Sequence, residues 1–130
     1  MTVLLDTSVL IDVLNGRRQR LEFVRSLAQE GHMLACCAIT IAEVCAGMRH
    51  GEARATGDLL SGLEYFDTSR VVARRAGHLK AAWAAKGRTL ALPDVLIAAI
   101  ALEYRLTFAT DHRKHFPMPE LKLLALPALH

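Results

Sequence analysis

At 130 residues, 52% of them hydrophobic and with a mean hydropathy of +0.24, the chain is long enough for one hydrophobic core and too apolar to be disordered. Aromatic side chains at 5% argue against a stacking platform for bases, and a formal charge of +3 is too mild to announce a polyanionic partner by itself. No apolar run approaches the ~20 residues that a bilayer span needs, and the first residues meet an acid without a basic leader, so neither a membrane span nor a signal peptide is expected.

In chain order, "TVLL" reads as a strand and "TSVLIDVLNG" as a short helix that Gly16 can stop. "RRQRLEFVRSLAQEG" carries Leu21, Val24 and Leu27/Ala28 at helical spacing, with basic residues elsewhere and Gly31 behind it. "HMLACCA" is a continuous apolar run of strand length, and "TIAEVCAGMRHG" has the Thr-x-x-Glu signature of a capped helix. A further helix is expected in "EARATGDLLSGLEYF", with "YFD" as a short strand, and "SRVVARRAGHLKAAWAAKG" is the longest helical segment. After the loop "RTLAL", "PDVLIAAIALEYR" places Pro93 in a first turn and is apolar nearly all round, which marks a central helix. "LTFAT" is a strand, "DHRKHF" a turn or short helix, and "LKLLAL" a last strand. Short apolar strands alternating with helices imply an α/β fold: a central, mostly parallel sheet of four to five strands flanked by helices, an α/β/α sandwich. The whole span 1–130 is expected to form a single domain. Cys36, Cys37 and Cys45 fit neither a zinc spacing nor a disulfide framework and read as small buried thiols in a reducing cytoplasm.

Four acids occupy equivalent places. Asp6 follows the first strand, Glu43 falls in the first turn of the helix after the second, Asp94 opens the central helix, and Asp111 follows "LTFAT". Taken singly, each has a local role: Asp6 or Thr7 as an N-cap, Glu43 reaching back to Thr40, Asp94 favouring a helix dipole, Asp111 in an Asx-turn, each worth roughly 0.5–2 kcal/mol. Collectively they differ from the other acids, because each is flanked by apolar runs and each sits on the sheet edge where open α/β folds bind ligands. Carboxylates gathered in a partly dry pocket raise one another's pKa, and a divalent cation relieves that repulsion; an oxygen-only set suits Mg²⁺ or Mn²⁺. Ser8 and Thr110 stand beside Asp6 and Asp111, where they can orient the carboxylates or hold water. Such a site suits hydrolysis of a phosphodiester. No acid lies between Asp67 and Asp94, where Arg70, Arg74, Arg75, Lys80, Lys86 and Arg88 form either a solvated helix face or a path for a phosphate backbone.

The segments "LLDTSVLIDVL", "ITIAEVCAGM", "LPDVLIAAIAL" and "FATDHRKHF" together resemble the PIN-domain ribonucleases, specifically the VapC-like toxins of bacterial type II toxin–antitoxin pairs, across nearly the whole chain. The resemblance implies a PIN-like fold and Asp6, Glu43, Asp94 and Asp111 as catalytic acids, with Asp6 and Asp94 the metal ligands. It also implies Mg²⁺- or Mn²⁺-dependent cleavage of RNA (tRNA or rRNA), a homodimer, and a cognate VapB-like antitoxin. In one common form of the last motif an acid precedes the final Phe; here His115 holds that place and the acid is Asp111. His112 and His115 are expected to be exposed or structural, with RNA contact as the alternative. Arg70, Arg74 and Arg75 are the expected RNA-binding residues.

Rival readings fare less well. A phosphatase with an aspartyl nucleophile wants a second Asp two residues after the first, where Ser8 stands. A receiver domain wants adjacent early acids, which "LLDTS" lacks. A housekeeping RNA-processing nuclease, or a silent PIN-like module that only binds a partner, remains the alternative, and the intact set of acids speaks against silence.

Overall fold

Alternation of apolar residues along very short strands organises the computed structural model, which describes residues 1–128. In chain order the elements are β1 (Thr2–Leu5), α1 (Thr7–Leu14), α2 (Arg18–Gln29), β2 (Met33–Cys37), α3 (Ala38–Ala46), α4 (Ala53–Ser61), β3 (Glu64–Phe66), α5 (Arg70–Ala85), α6 (Leu92–Glu103), β4 (Thr107–Ala109) and β5 (Leu123–Leu124), with a single 3-10 turn over Arg113–His115. The strands form one sheet in the order β3-β2-β1-β4-β5. Every neighbouring pair is parallel, so the expected mostly parallel sheet is wholly parallel among the described residues.

Period-two alternation assigns side chains to two cores. Leu4, Ala35, Cys37 and Phe108 face α5 and α6, whose Val72, Ala76, Val95, Ala98 and Ile100 complete that layer. Val3, Leu5 and Ala109 point the other way, onto Val9 and Leu10 of α1, Leu27 of α2 and Val44 of α3. Register keeps the layers aligned: Leu4 pairs with Ala35 on one side and with Phe108 on the other. Helix α6 is buried over Val95 and Ile97–Ala101, as its all-round apolar sequence requires. The left-handed residues Gly16 and Gly31 lie just beyond α1 and α2, where a side chain would strain the exit.

Two local expectations change. Helix α3 starts at Ala38 with Cys37 as its N-cap, and Thr40 bonds back to that cap, its Oγ1 accepting from the Cys37 N–H at 3.0 Å. The Thr-x-x-Glu signature is therefore one turn out of phase: strand β2 runs straight into the helix, and Thr40 is already its third residue. Cys36 and Cys37 are buried, whereas Cys45 is exposed on the outer face of α3. Among the described residues no helix is long and apolar enough to cross a membrane.

Candidate active site

From β1 the chain winds outward to β2 and β3, then crosses back to place β4 on the other side of β1. The carboxyl ends of β1 and β4 therefore diverge at a topological switch point, the position where open parallel sheets leave a crevice. Asp6 follows β1 there and Thr110 follows β4. The Asp6 N–H still donates to the Ala109 carbonyl at 3.1 Å, continuing the ladder. Its carboxylate accepts from the Thr7 N–H through Oδ1 at 2.8 Å and from the Thr110 hydroxyl through Oδ2 at 2.5 Å. Thr110 in turn accepts from the His112 N–H at 2.9 Å. Asp6 is the N-cap of α1 and a cleft residue at once, and at 6% exposure it is nearly withdrawn from water.

Glu43 arrives from α3. Because that helix begins at Ala38, Glu43 lies in its second turn and not its first, and it takes no part in the cap. Its Oε1 accepts from the Thr7 hydroxyl at 2.8 Å, so the residue after Asp6 joins two acids contributed by elements far apart in sequence. Asp94 sits in the first turn of α6, directly after Pro93. Burial raises its pKa above the ordinary carboxylate range, and the Asp6 charge raises it further, while His115 and His112 pull it back down. His115 Nδ1 lies 3.7 Å from Asp94 Oδ2, and the His112 and His115 rings stack with centroids 5.3 Å apart. Asp6, Glu43, Asp94, His112 and His115 all line one cleft of about 310 Å³, with Thr7, Ser8 and apolar Ile11, Ile97 and Phe116. The two histidines, expected to be exposed or structural, are exposed and share the cleft with the acids.

Asp111 does not line it. Its Oδ2 accepts from Nη2 of Arg20, whose side chain is only 2% exposed. Arg20 also donates to Asp12 Oδ2 at 3.0 Å and to the Pro127 carbonyl at 3.1 Å. Asp12, on α1, is thus one of two carboxylates neutralising a buried charge. Local sequence held one clue to Arg20: it precedes Phe23, Val24 and Leu27 by three, four and seven residues, which puts it on the apolar stripe of α2.

The arginines of α5 are likewise distant. Arg75 pairs with Glu103 at 3.3 Å, while farther along α5 Lys80 donates to the Leu90 carbonyl just before α6 begins. The two helices therefore run antiparallel, with Arg70, Arg74 and Arg75 beside the end of α6 opposite to Asp94. At 1.5 Å per residue, the nine residues from Asp94 to Glu103 span about 14 Å.

The three acids of the cleft offer carboxylate oxygens, which suit a hard divalent cation, beside the imidazole nitrogens of His112 and His115. Among the described residues no three acidic, histidine or cysteine side chains stand close enough to enclose an ion unaided. Ser8 supplies a fitting outer partner: its Oγ is buried beside Asp6 with no hydrogen-bond partner in the protein, so a water held at the cleft would satisfy it.

Residues 3–116 match the PIN domain. A ribonuclease of Mycobacterium tuberculosis, VapC10, is 35% identical over 118 residues, covering 91% of this chain and 88% of the relative. Among solved structures, the VapBC2 complex of Rickettsia felis bound to promoter DNA contains a chain that superposes with a TM-score of 0.84 at 26% identity, covering 98% of this chain and 100% of its own. A toxin–antitoxin complex of Klebsiella pneumoniae gives 0.76 at 29% identity, covering 94% and 95%.

Two expectations follow from the electrostatics. Arg20→Met removes the cation shared by Asp12 and Asp111, but Arg17 still pairs with Asp12 at 3.6 Å and Asp111 is nearly half exposed, so the unfolding free energy should fall by about 2 kcal/mol, measured by urea denaturation; a loss below about 0.5 kcal/mol would mean that the buried guanidinium is dispensable. For Asp94 the native pKa exceeds the unfolded one, so the folded state holds this proton more tightly and Asp94 costs stability at neutral pH. That cost disappears as pH falls from the raised value through the ordinary carboxylate range. In metal-free buffer Asp94→Asn should therefore melt on the order of 1–3 °C above wild type at pH 7 and lose that lead on acidification.

Proposed function

The chain belongs to the PIN-domain family, and from that premise we propose that it is a VapC-type, metal-dependent endoribonuclease toxin neutralised by a VapB-like antitoxin. One observation carries the catalytic part: Asp6, Glu43 and Asp94, from three separate elements, line a single cleft at the switch point of a parallel sheet. The ribonuclease relative supports RNA as the substrate, and the VapBC complexes support the antitoxin. A homodimer, expected of the family, and a cytoplasmic site of action complete the reading.

Asp6 and Asp94 would hold the ion, with Mg²⁺ or Mn²⁺ the species suited to their oxygens. When bound, the metal supplies a lowered pKa for water and neutralises charge on the phosphodiester. The rest falls to the chain. Thr7 and Thr110 fix the Asp6 carboxylate before substrate arrives, so its orientation costs little at the moment of binding. Glu43, exposed and steadied by Thr7, is placed to orient the attacking water and take its proton. The 3-10 turn carries His115 beside Asp94, where its ring lies against the cleft wall.

Asp111 departs from the expected quartet. Arg20 engages it, so its role here is to anchor the segment after β4, which bears His112 and His115. The sequence expectation of a fourth acid at the cleft becomes a proposal of three acids and one tether.

Purified protein incubated with cellular RNA and Mg²⁺ or Mn²⁺ should cleave it, and EDTA should abolish cleavage. Asp94→Asn should retain its circular dichroism spectrum and lose roughly 10²-fold or more in rate. Full metal-dependent cleavage by that variant would falsify the assignment. Asp111→Asn should keep its Mg²⁺ midpoint within about twofold of wild type, since replacing an anchor leaves the ligand set intact. A midpoint moved tenfold returns Asp111 to the ligands.

A further inference from the structure

Among the described residues, no lysine or arginine lines the cleft that holds the acids. Three carboxylates repel a polyanion, and a bound divalent ion offsets that only for the phosphate it touches. The flanking phosphates of a nucleic acid strand need cations from the protein. A second cleft, of about 230 Å³, opens beside the first and shares Asp94 and His115 with it. Its lining includes Arg88 and Lys114. The Arg88 guanidinium donates to the Lys114 backbone carbonyl, tying the loop before α6 to the 3-10 turn, so that the wall between the clefts is braced. One Arg88 N–H is spent on that bond and the other donors of its planar fork remain. The Lys114 side chain is exposed and makes no ion pair among the described residues.

We propose that Arg88 and Lys114 form a phosphate-binding subsite for the RNA nucleotide next to the scissile bond, so that the strand enters across the second cleft and not along the α5 face. The proposal rests on the ribonuclease reading above. It displaces Arg70, Arg74 and Arg75 as the RNA path for a geometric reason: they stand at the opposite end of α6 from Asp94, and Arg75 is already engaged by Glu103. Arg88 and Lys114 instead adjoin Asp94 itself. His115, common to both clefts and stacked on His112, marks the border the strand crosses.

The test is fluorescence anisotropy with a labelled single-stranded RNA of about 12 nucleotides, a length within the usual range of such sites. Binding is measured on the Asp94→Asn protein in Mg²⁺, where cleavage does not interfere, over a series of KCl concentrations. Lys114→Gln, which leaves the backbone carbonyl in place, should raise Kd about fivefold and flatten the log–log salt slope by about 0.7, the signature of one lost phosphate contact on a single strand. Arg88→Gln should do the same or more, whereas Arg74→Gln should stay within twofold and keep the parent slope. The slope separates phosphate contact from a mere loss of fold, and unchanged melting of Lys114→Gln checks the same point. If the parent binds RNA and Lys114→Gln leaves both Kd and slope unaltered, or if Arg74→Gln is the variant that changes them, the subsite is wrong and the ribonuclease reading stands. If the parent neither binds nor, with Asp94 restored, cleaves RNA, the ribonuclease reading fails and the subsite with it.

Discussion

Asp6 stands where β1 and β4 part, and both of its carboxylate oxygens are engaged by the protein, one by the Thr7 amide and the other by the Thr110 hydroxyl. Much of the cleft depends on that arrangement. The Thr7 bond starts α1 at a defined angle; the Thr110 bond joins the ends of two strands that the fold is about to separate. Thr7 then passes its own orientation to Glu43 through its hydroxyl. A short chain of hydrogen bonds thus sets two acids from different elements relative to each other without help from a ligand. At nearly dry Asp6 such bonds are stronger than in water and an unpaired carboxylate would be costly, so that end of the network has little freedom to rearrange, whereas the Thr7–Glu43 bond stands in solvent.

Arg20 is the second constraint, of a different kind. A guanidinium buried in α2 is tolerable only because Asp12, Asp111 and the Pro127 carbonyl surround it. These partners come from α1, from the segment after β4 and from the tail beyond β5. The arrangement ties together parts of the chain that the sheet alone leaves independent. It also draws an acid at a strand's carboxyl end away from the cleft. Position on the sheet edge made Asp111 equivalent to Asp6 in topology; a charge arriving from another helix made it different in chemistry.

The order of strands and helices was legible because the segments are short, apolar and punctuated. Gly16, Gly31 and Pro93 stand where helices end or begin, and the all-round apolar character of α6 betrayed its central place. Asp6 and Asp94 were legible for the same reason, each at a boundary between an apolar strand or loop and a helix. Where the reading slipped, the cause was phase or partner. The Thr-x-x-Glu pattern placed Glu43 one turn too early, since β2 feeds α3 without a loop and Cys37 takes the cap. The basic run on α5 read as one stripe, yet Arg75 and Lys80 contact opposite ends of α6.

By itself, then, the sequence determined the alternation of strands and helices, the two-sided burial of the sheet and the acids that open α1 and α6, because hydrophobic period and helix-start chemistry are local properties. Tertiary structure alone decided which acids share a cleft, which one Arg20 takes, and which cations adjoin Asp94. Those outcomes depend on distances between residues tens of positions apart. Such distances are set by strand order and by the antiparallel packing of α5 on α6, and no local pattern encodes them.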